Sequence, residues 1–246
     1  MIGRLGVRRQ REREGLVLFE GIRAVREALD ACASVRFAVV SDALSTSTSG
    51  RVLEDRLRDA GIDVDVVGAA AFDSISLTES PQGVLLVCEQ DDVALSDVVE
   101  IDGPILVLDA LQDPGNVGTL IRTAVAFGFA GVIALDGTTD PWSTKVVRSS
   151  AGNVARVPVV RAAAGEAMAA LRQSGRAILV AAADGSAGDH VGPARIALVI
   201  GNEGAGVREE IRAQAEATIT VRMAGPVESL NASVAGAILM YDLTRE

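Results

Sequence analysis

An unbroken apolar segment, Pro104-Ile-Leu-Val-Leu-Asp109, constrains the fold more than any other part of the chain. A strand that is apolar at every position has both faces covered, which is typical of a parallel sheet flanked by helices. More strand-like segments follow and alternate with helical segments, at 131–135, 177–182, 196–200 and 218–223. This alternation predicts a doubly wound, mainly parallel α/β sheet over residues 104–246.

The chain before this sheet has a different organisation. Strand-like segments at 35–40, 62–67 and 83–88 alternate with helical segments, and we predict a small α/β domain over 15–97. One of its predicted helices runs from Leu18 to Ala31. A charged, turn-rich stretch ends this domain, and we place the linker at 98–103.

Residues 1–14 form a basic N-terminal arm. Residues 1–26 carry seven arginines and three glutamates, a net charge of +4, although the whole chain has a formal charge of −10. Basic arms commonly bind phosphates, so the arm predicts contacts to RNA through four of its arginines, Arg8, Arg9, Arg11 and Arg13. The alternative is a solvated terminus with no binding role.

Composition excludes several classes of protein. No apolar run approaches the roughly 18 residues of a membrane helix, and the N-terminus has no apolar signal region. Cys32 and Cys88 are far apart in sequence and are expected to pack as small hydrophobic residues, and the single His190 cannot form a histidine cluster. We therefore expect a cytoplasmic protein with no membrane partner and no metal.

Three polar loops follow predicted strands. The first contains Asp113-Pro-Gly-Asn116 and leads to Arg122, the second is Gly201-Asn-Glu203-Gly-Ala-Gly206, and the third delivers Ser229 and Asn231 to a C-terminal helix. Asn116 can cap the helix that it precedes, and Arg122 is expected to face the same loop end. In doubly wound sheets, ligands bind beyond the carboxyl ends of strands, where all three loops are predicted to lie.

Each loop also has a purely structural interpretation. A capping asparagine, a glycine-rich turn and a capped helix would account for them separately. The second loop is not a dinucleotide fingerprint, because its order is G-x-x-G-x-G and it contains an acidic residue, Glu203. This argues against a nucleotide-dependent oxidoreductase.

Together, the ordered motifs Asp-Pro-x-Asn-x-Gly-x-x-x-Arg, Gly-Asn-Glu-Gly-x-Gly and Ser-Leu-Asn-x-Ser-Val-Ala resemble the SpoU/TrmH branch of the SPOUT RNA methyltransferases. Residues 15–97 resemble that family's ribosomal-protein-like RNA-binding domain, mainly through Phe19-Glu-Gly-Ile-Arg-Ala-Val-Arg and Ser80-Pro-Gln-Gly-Val84. The resemblance implies a C-terminal trefoil knot, a homodimer and S-adenosylmethionine as the cofactor. It also implies methyl transfer to a ribose 2′-hydroxyl of structured RNA.

By position, the resemblance assigns catalytic roles to a set of polar residues, Asn116, Arg122, Glu203, Ser229 and Asn231. It assigns backbone contacts with the cofactor to Gly201, Val221 and Leu230. Whether Arg122 is a general base or a phosphate anchor is open. The chain has Val221-Arg222-Met223 where the family usually has Ile-Pro-Met, which leaves the effect of Arg222 on cofactor binding open.

The first candidate substrate is 23S-type ribosomal RNA, by analogy with proteins that carry the same added domain. Transfer RNA is one alternative. A non-catalytic RNA-binding factor for ribosome assembly is another.

Overall fold

The computed structural model describes residues 2–186, 195–227 and 229–245, so that His190 lies outside the described part. The chain divides into two compact units. The first comprises Met1–Asp92 and Trp142–Arg156, and the second comprises Val93–Pro141 and Val157–Glu246. None of the helices in the described residues combines the length and apolar character needed to cross a bilayer.

The first unit contains a four-stranded sheet, in the order β1-β4-β2-β3. Strand β4 is antiparallel to β1 and β2, and β2 is parallel to β3. The strands and helices of residues 2–92 are α1 (Arg8–Glu14), β1 (Leu16–Glu20), α2 (Ile22–Asp30), β2 (Val35–Ser41), α3 (Thr48–Asp59), β3 (Val64–Val67), α4 (Ala69–Ile75) and β4 (Val84–Glu89).

The predicted helix from Leu18 to Ala31 is wrong in its first part. Leu16–Glu20 is strand β1, fully buried and paired with β4, and the helix starts only at Ile22. Gly21 separates the two elements with φ of 97°, a conformation that favours glycine. In such a short apolar run, periodicity cannot distinguish one continuous helix from a strand that is followed by a helix.

The second unit is built on a six-stranded sheet in which every pairing is parallel, as the sequence predicted. Its strand order is β10-β8-β9-β5-β6-β7. The remaining elements of the chain are α5 (Leu95–Glu100), β5 (Ile105–Asp109), α6 (Pro114–Ala126), β6 (Gly131–Leu135), α7 (Thr144–Ser149), β7 (Val159–Ala162), α8 (Ala164–Gln173), β8 (Ala177–Ser186), β9 (Ile196–Gly201), α9 (Glu209–Arg212), β10 (Ala217–Ile219) and α10 (Ala232–Thr244).

Strands β5 and β9 form the centre of this sheet and are buried along their whole length. Helix α10 packs beside them and against α6, with Gly236 at the contact. A Cβ atom at Gly236 would lie 2.4 Å from Leu120 Cδ2, so a larger residue there would force the Leu120 side chain to move. This packing brings the start of α10 near the loop that precedes α6.

Segment 142–156 belongs to the first unit although it lies between β6 and β7 in sequence. Its helix α7 packs against β1, and the 3-10 helix Asn153–Arg156 packs against α2. Arg156 donates to Glu27 at 2.6 Å, and a Cβ atom at Gly152 would lie 2.7 Å from the Ala24 carbonyl oxygen. The sequence indicated only a short helix here.

The linker predicted at 98–103 lies within the second unit. Helix α5 occupies Leu95–Glu100, and Val98 and Val99 are buried in the core. The buried Arg176 guanidinium holds the chain after this helix by donating to the carbonyl groups of Val99, Ile101 and Gly103. The charged residues that suggested a linker form the exposed side of an ordered segment.

Candidate active site

The three polar loops lie at the same edge of the six-stranded sheet. They follow β5, β9 and β10, and parallel strands present their carboxyl ends on one side. Strands β5 and β9 are neighbours, and β10 lies beyond β8 at the edge of the sheet. The arrangement confirms the prediction that the loops share one sheet end.

Asp113, and not Asn116, caps helix α6. The Asp113 side chain accepts a hydrogen bond from the Asn116 backbone N–H at 2.8 Å, and Pro114 occupies the first turn. The expectation that Asn116 caps the helix is therefore wrong. Because the cap is supplied by Asp113, the Asn116 side chain is free to bond elsewhere, and it is buried.

The Gly201–Gly206 loop folds tightly back on itself. Asn202 and Gly206 exchange two backbone hydrogen bonds of 3.0 and 2.9 Å, and a Cβ atom at Gly201 would lie 2.3 Å from the Gly206 carbonyl carbon. The Asn202 side chain donates to the Ala110 carbonyl at 2.9 Å. The loop is thus tied to the end of β5.

A chain of side-chain hydrogen bonds joins the three loops. Asn116 Nδ2 donates to Glu203 Oε1 at 3.0 Å, and Asn231 Nδ2 donates to Asn116 Oδ1 at 3.0 Å. Asn231 Oδ1 then accepts from the Ser233 hydroxyl and from the backbone N–H of Ser233 and Val234, which caps α10. Each asparagine uses one amide donor and one amide acceptor, so the chain has a fixed direction.

Glu203 is held in its ionised form. Burial alone would raise the pKa of its carboxyl group, but hydrogen bonds from the Asn116 side chain and from the backbone N–H groups of Glu203, Asp113 and Gln112 lower that pKa below its usual value. A group with a lowered pKa in the folded state contributes stability at neutral pH and loses it as the pH falls through that pKa. Glu203 therefore acts in this site as an acceptor that organises the loop after β5.

A second ionic cluster beneath the loops was missed by the sequence analysis. Asp109 at the end of β5 is completely buried, and it accepts from Arg208 Nε at 2.7 Å and from the Arg208 backbone N–H at 2.8 Å. Arg208 also donates to Asp136 at the end of β6, and this bond lowers the pKa of the Asp136 carboxyl. The sequence feature that could have indicated this cluster is Asp109, an acidic residue at the end of an all-apolar strand.

A cavity of about 150 Å³ opens between the second and third loops. Its walls combine apolar side chains with backbone, and the predicted site residues that line it are Gly201, Glu203, Val221, Ser229 and Leu230. The backbone N–H groups of Val221, Met223 and Leu230 donate to no described residue. Apolar walls with free backbone donors fit the adenosine and methionine parts of S-adenosylmethionine.

Arg122 belongs neither to the hydrogen-bond chain nor to the residues that line the cavity. It is exposed on α6, does not line the cavity, and makes no hydrogen bond or ion pair with the described residues. A separation of six residues places two side chains about 120° apart around a helix, because each residue turns about 100°. The expectation that Arg122 faces the same loop end as Asn116 is therefore wrong.

Two further site residues are exposed. The Ser229 side chain lines the cavity and has no hydrogen-bond partner among the described residues. Arg222 is exposed and does not line the cavity, whereas its neighbours Val221 and Met223 do. The added charge therefore does not form part of the cavity wall, which at this position is made by Val221 and Met223.

The basic arm is ordered, and its arginines differ in accessibility. Arg8 pairs with Glu12 at 2.7 Å and Arg13 pairs with Glu14 at 2.5 Å, all on or beside α1. Arg9 is exposed. Arg11 is 2% exposed and donates to the Leu5 carbonyl at 2.6 Å, so the prediction that it contacts RNA is corrected. It instead fixes the short helix at Ile2–Gly6.

The comparisons with known proteins agree with this geometry. The model of the SpoU rRNA Methylase family matches residues 103–241, and the model of the MRM3-like substrate binding domain matches residues 1–86. The 23S rRNA (guanosine(2553)-2′-O)-methyltransferase RlmP of Bacillus subtilis is 34% identical over 242 residues, covering 98% of this chain and 93% of that protein.

Two solved structures are similar over nearly the whole chain. The AdoMet-bound rRNA methyltransferase from Sinorhizobium meliloti has a TM-score of 0.83 and 28% identity, with coverage of 98% and 91%. The SpoU methyltransferase AviRb from Streptomyces viridochromogenes has a TM-score of 0.84 and 27% identity, with coverage of 98% and 93%. The chain belongs to the SpoU rRNA methylase family of S-adenosylmethionine-dependent RNA methyltransferases.

Proposed function

We propose that this protein transfers a methyl group from S-adenosylmethionine to a ribose 2′-hydroxyl of large-subunit ribosomal RNA. The observation that carries the proposal is the hydrogen-bond chain from Glu203 through Asn116 to Asn231, which joins three loops beside a cavity with free backbone donors. The similarity to a 23S rRNA methyltransferase supports the choice of RNA.

The cofactor would supply the electrophilic methyl group, and the protein would position the attacking oxygen. The backbone of Gly201, Val221 and Leu230 would hold the cofactor, since all three residues line the cavity. The Ser229 hydroxyl, which has no partner among the described residues, can bond the ribose. Holding the reacting atoms in line is the main requirement of such a transfer.

Arg122 is proposed as a phosphate anchor and not as a general base. Arginine stays protonated in proteins, so it cannot accept the hydroxyl proton, but it can hold a phosphate and stabilise charge developing on oxygen. Its exposure and its lack of a partner in the described residues support this role. Asn116, Glu203 and Asn231 would act by fixing the loops that surround the ribose.

We further propose a homodimer whose interface includes α10, and a trefoil knot in the last third of the chain. The dimer is supported by three exposed apolar side chains on one stripe of α10, Val234 (47% exposed), Ile238 (36%) and Tyr241 (54%). Tyr241 also packs on Phe127 with ring centroids 5.8 Å apart. Helix α6, which carries Arg122, packs against α10, so an interface on α10 would lie beside Arg122 of each copy.

Replacing Ile238 with glutamate should convert the dimer to a monomer. A charge in the middle of an apolar interface would be desolvated without a partner, which is unfavourable enough to prevent association at micromolar concentration. Light scattering after size-exclusion chromatography measures the mass. Val52→Glu is the control, because Val52 is an exposed apolar residue on α3 of the first unit. A monomeric wild type, or a dimeric Ile238→Glu variant, would contradict the interface.

The function is tested by mapping ribose methylation in total RNA from cells with and without the gene. We expect one 2′-O-methylated position of the large-subunit ribosomal RNA to disappear and to return with the wild-type gene. Loss of a transfer RNA methylation would reassign the substrate, and an unchanged pattern would favour a non-catalytic factor. A ribosomal substrate also implies a cytoplasmic location.

A further inference from the structure

A second cavity, of about 180 Å³, lies within the first unit and plays no part in the site described above. It opens where β1 gives way to α2, and segment 142–156 completes its wall. The side chains that define its chemistry are Glu20, Arg23, Thr78, Ser80, Gln82 and Arg148. Two arginines far apart in sequence are therefore brought to one concave surface.

Neither arginine is neutralised by the protein. Arg23 and Arg148 are exposed and make no hydrogen bond or ion pair with the described residues. Other arginines of this unit are paired, such as Arg36 with Glu89, Arg56 with Asp30 and Arg58 with Asp55. Two unpaired guanidinium groups lining one cavity repel each other, and an anion bound between them would relieve that repulsion.

The acidic group in the cavity wall already accepts three hydrogen bonds from within the first unit. Glu20 is 9% exposed, and its Oε1 accepts from the Ser76 and Thr78 hydroxyls at 2.5 and 2.6 Å. Its Oε2 accepts from the Leu77 backbone N–H at 3.0 Å. Glu20 thus fixes the loop that carries Ser80 and Gln82, and its carboxylate is turned toward these three donors.

Gln82 is oriented as a donor. Its Oε1 accepts from the Ile22 backbone N–H at 2.9 Å, which leaves its Nε2 without a partner among the described residues. Gly21 allows this approach, because a Cβ atom there would lie 2.9 Å from Gln82 Oε1. The Ser80 hydroxyl likewise has no partner in the described residues. The cavity therefore offers two guanidinium groups, an amide N–H and a hydroxyl.

We propose that this cavity binds a backbone phosphate of the RNA substrate, with Arg23 and Arg148 as the charged contacts and Ser80 and Gln82 as neutral donors. Among the described residues that line it, there is no aromatic side chain on which a base could stack, which suits a phosphate group better than a free nucleotide. Forked guanidinium groups match phosphate oxygens. The inference rests on the proposed function, because it assumes an RNA substrate.

The test compares full-length wild type with the Arg23→Ala/Arg148→Ala double variant, using deproteinised 23S ribosomal RNA as the probe. We expect at least about tenfold weaker RNA binding, and a plot of log affinity against log salt that is shallower by about 1 to 2. Affinity for S-adenosylmethionine, measured by calorimetry, should not change. Arg58→Ala is the control, because Arg58 is also exposed but lies on α3 and pairs with Asp55.

A lysine pair at the same positions separates charge from geometry. Arg23→Lys/Arg148→Lys should keep the salt slope and lose several-fold in affinity, because lysine cannot make forked contacts. The proposal is overturned if the alanine pair binds RNA like Arg58→Ala. It is also overturned if inorganic phosphate or a mononucleotide binds the cavity while the alanine pair leaves RNA affinity unchanged. Failure of the proposed function looks different, since wild type would then bind no S-adenosylmethionine and transfer no methyl group.

Discussion

Replacing Asn116 with aspartate should reduce methyl transfer by about 100-fold at pH 8, the largest effect expected from any isosteric change in the site. The Asn116 amide donates to Glu203 at 3.0 Å, and an aspartate would place a second carboxylate at that distance. Two carboxylates so close cannot both ionise without strong repulsion. The link between the loops after β5 and β9 would be lost.

The pH dependence of this variant should oppose that of the wild type. In the wild type, the lowered pKa of Glu203 keeps the network intact at neutral pH and weakens it only in acid. In the variant, the carboxylate pair would hold one proton with a raised pKa, so the link is present below that pKa and is lost as the pH rises through it. The activity of Asn116→Asp relative to wild type should therefore rise from pH 8 to pH 5.5.

A matched double variant tests the same bond by exchanging donor and acceptor. Asn116→Asp/Glu203→Gln restores an amide-to-carboxylate hydrogen bond with its direction reversed, and should recover part of the activity at pH 8. Initial rates at saturating S-adenosylmethionine across pH 5.5–8 provide the measurement. If Asn116→Asp keeps wild-type activity at pH 8, or if its relative activity is flat with pH, the proposed role of this bond is excluded.

Removing the Arg208 side chain should lower the free energy of unfolding by about 3 kcal/mol. Asp109 is completely buried, and Arg208 Nε is the side-chain donor that compensates its charge, at 2.7 Å. Breaking a buried pair from one side leaves an uncompensated charge, which is why the cost is large. Because Arg208 lies two residues after the Gly201–Gly206 loop, affinity for S-adenosylmethionine should also decrease.

The control for this variant lies on helix α9, which Arg208 immediately precedes. Arg212 pairs with Asp184 at 2.8 Å, but Asp184 is largely exposed, so Arg212→Ala should destabilise the protein much less than Arg208→Ala. Adding Asp109→Asn to Arg208→Ala removes the unpaired charge and should recover part of the stability. Denaturant unfolding measures all three. Equal losses for Arg208→Ala and Arg212→Ala would refute the buried-pair argument.

The sequence predicts the parallel sheet and the loop cluster well, because both depend on local patterns. The all-apolar run ending at Asp109 identifies a central strand, and glycine and asparagine after β9 and before α10 identify loops at the carboxyl end. The link from Asn116 to Asn231 spans 115 positions and is set by the packing of α10 on α6. No local pattern encodes such a pairing.

Several sequence-based expectations missed charged side chains whose partners lie elsewhere in the sequence or on an adjacent turn. Arg11 belongs to a basic run, yet its guanidinium is buried against the Leu5 carbonyl. Arg176 and Arg208 look like ordinary surface arginines in sequence, but they bond carbonyl groups and a carboxylate brought close by the fold. The residue type shows which interactions a charged side chain can make, but the tertiary structure determines which partners lie within reach.

The first unit is built from two separate segments of the chain, Met1–Asp92 and Trp142–Arg156. This limits how RNA specificity can be exchanged between relatives. A chimera that takes only residues 1–92 from another family member would keep the host's 142–156, and β1 and α2 would then face α7 and Arg156 of a foreign partner. Arg23 and Arg148 would also come from different parents. We therefore expect the two segments of this unit to evolve together in the family, and we expect that both must be exchanged to transfer RNA recognition from one member to another.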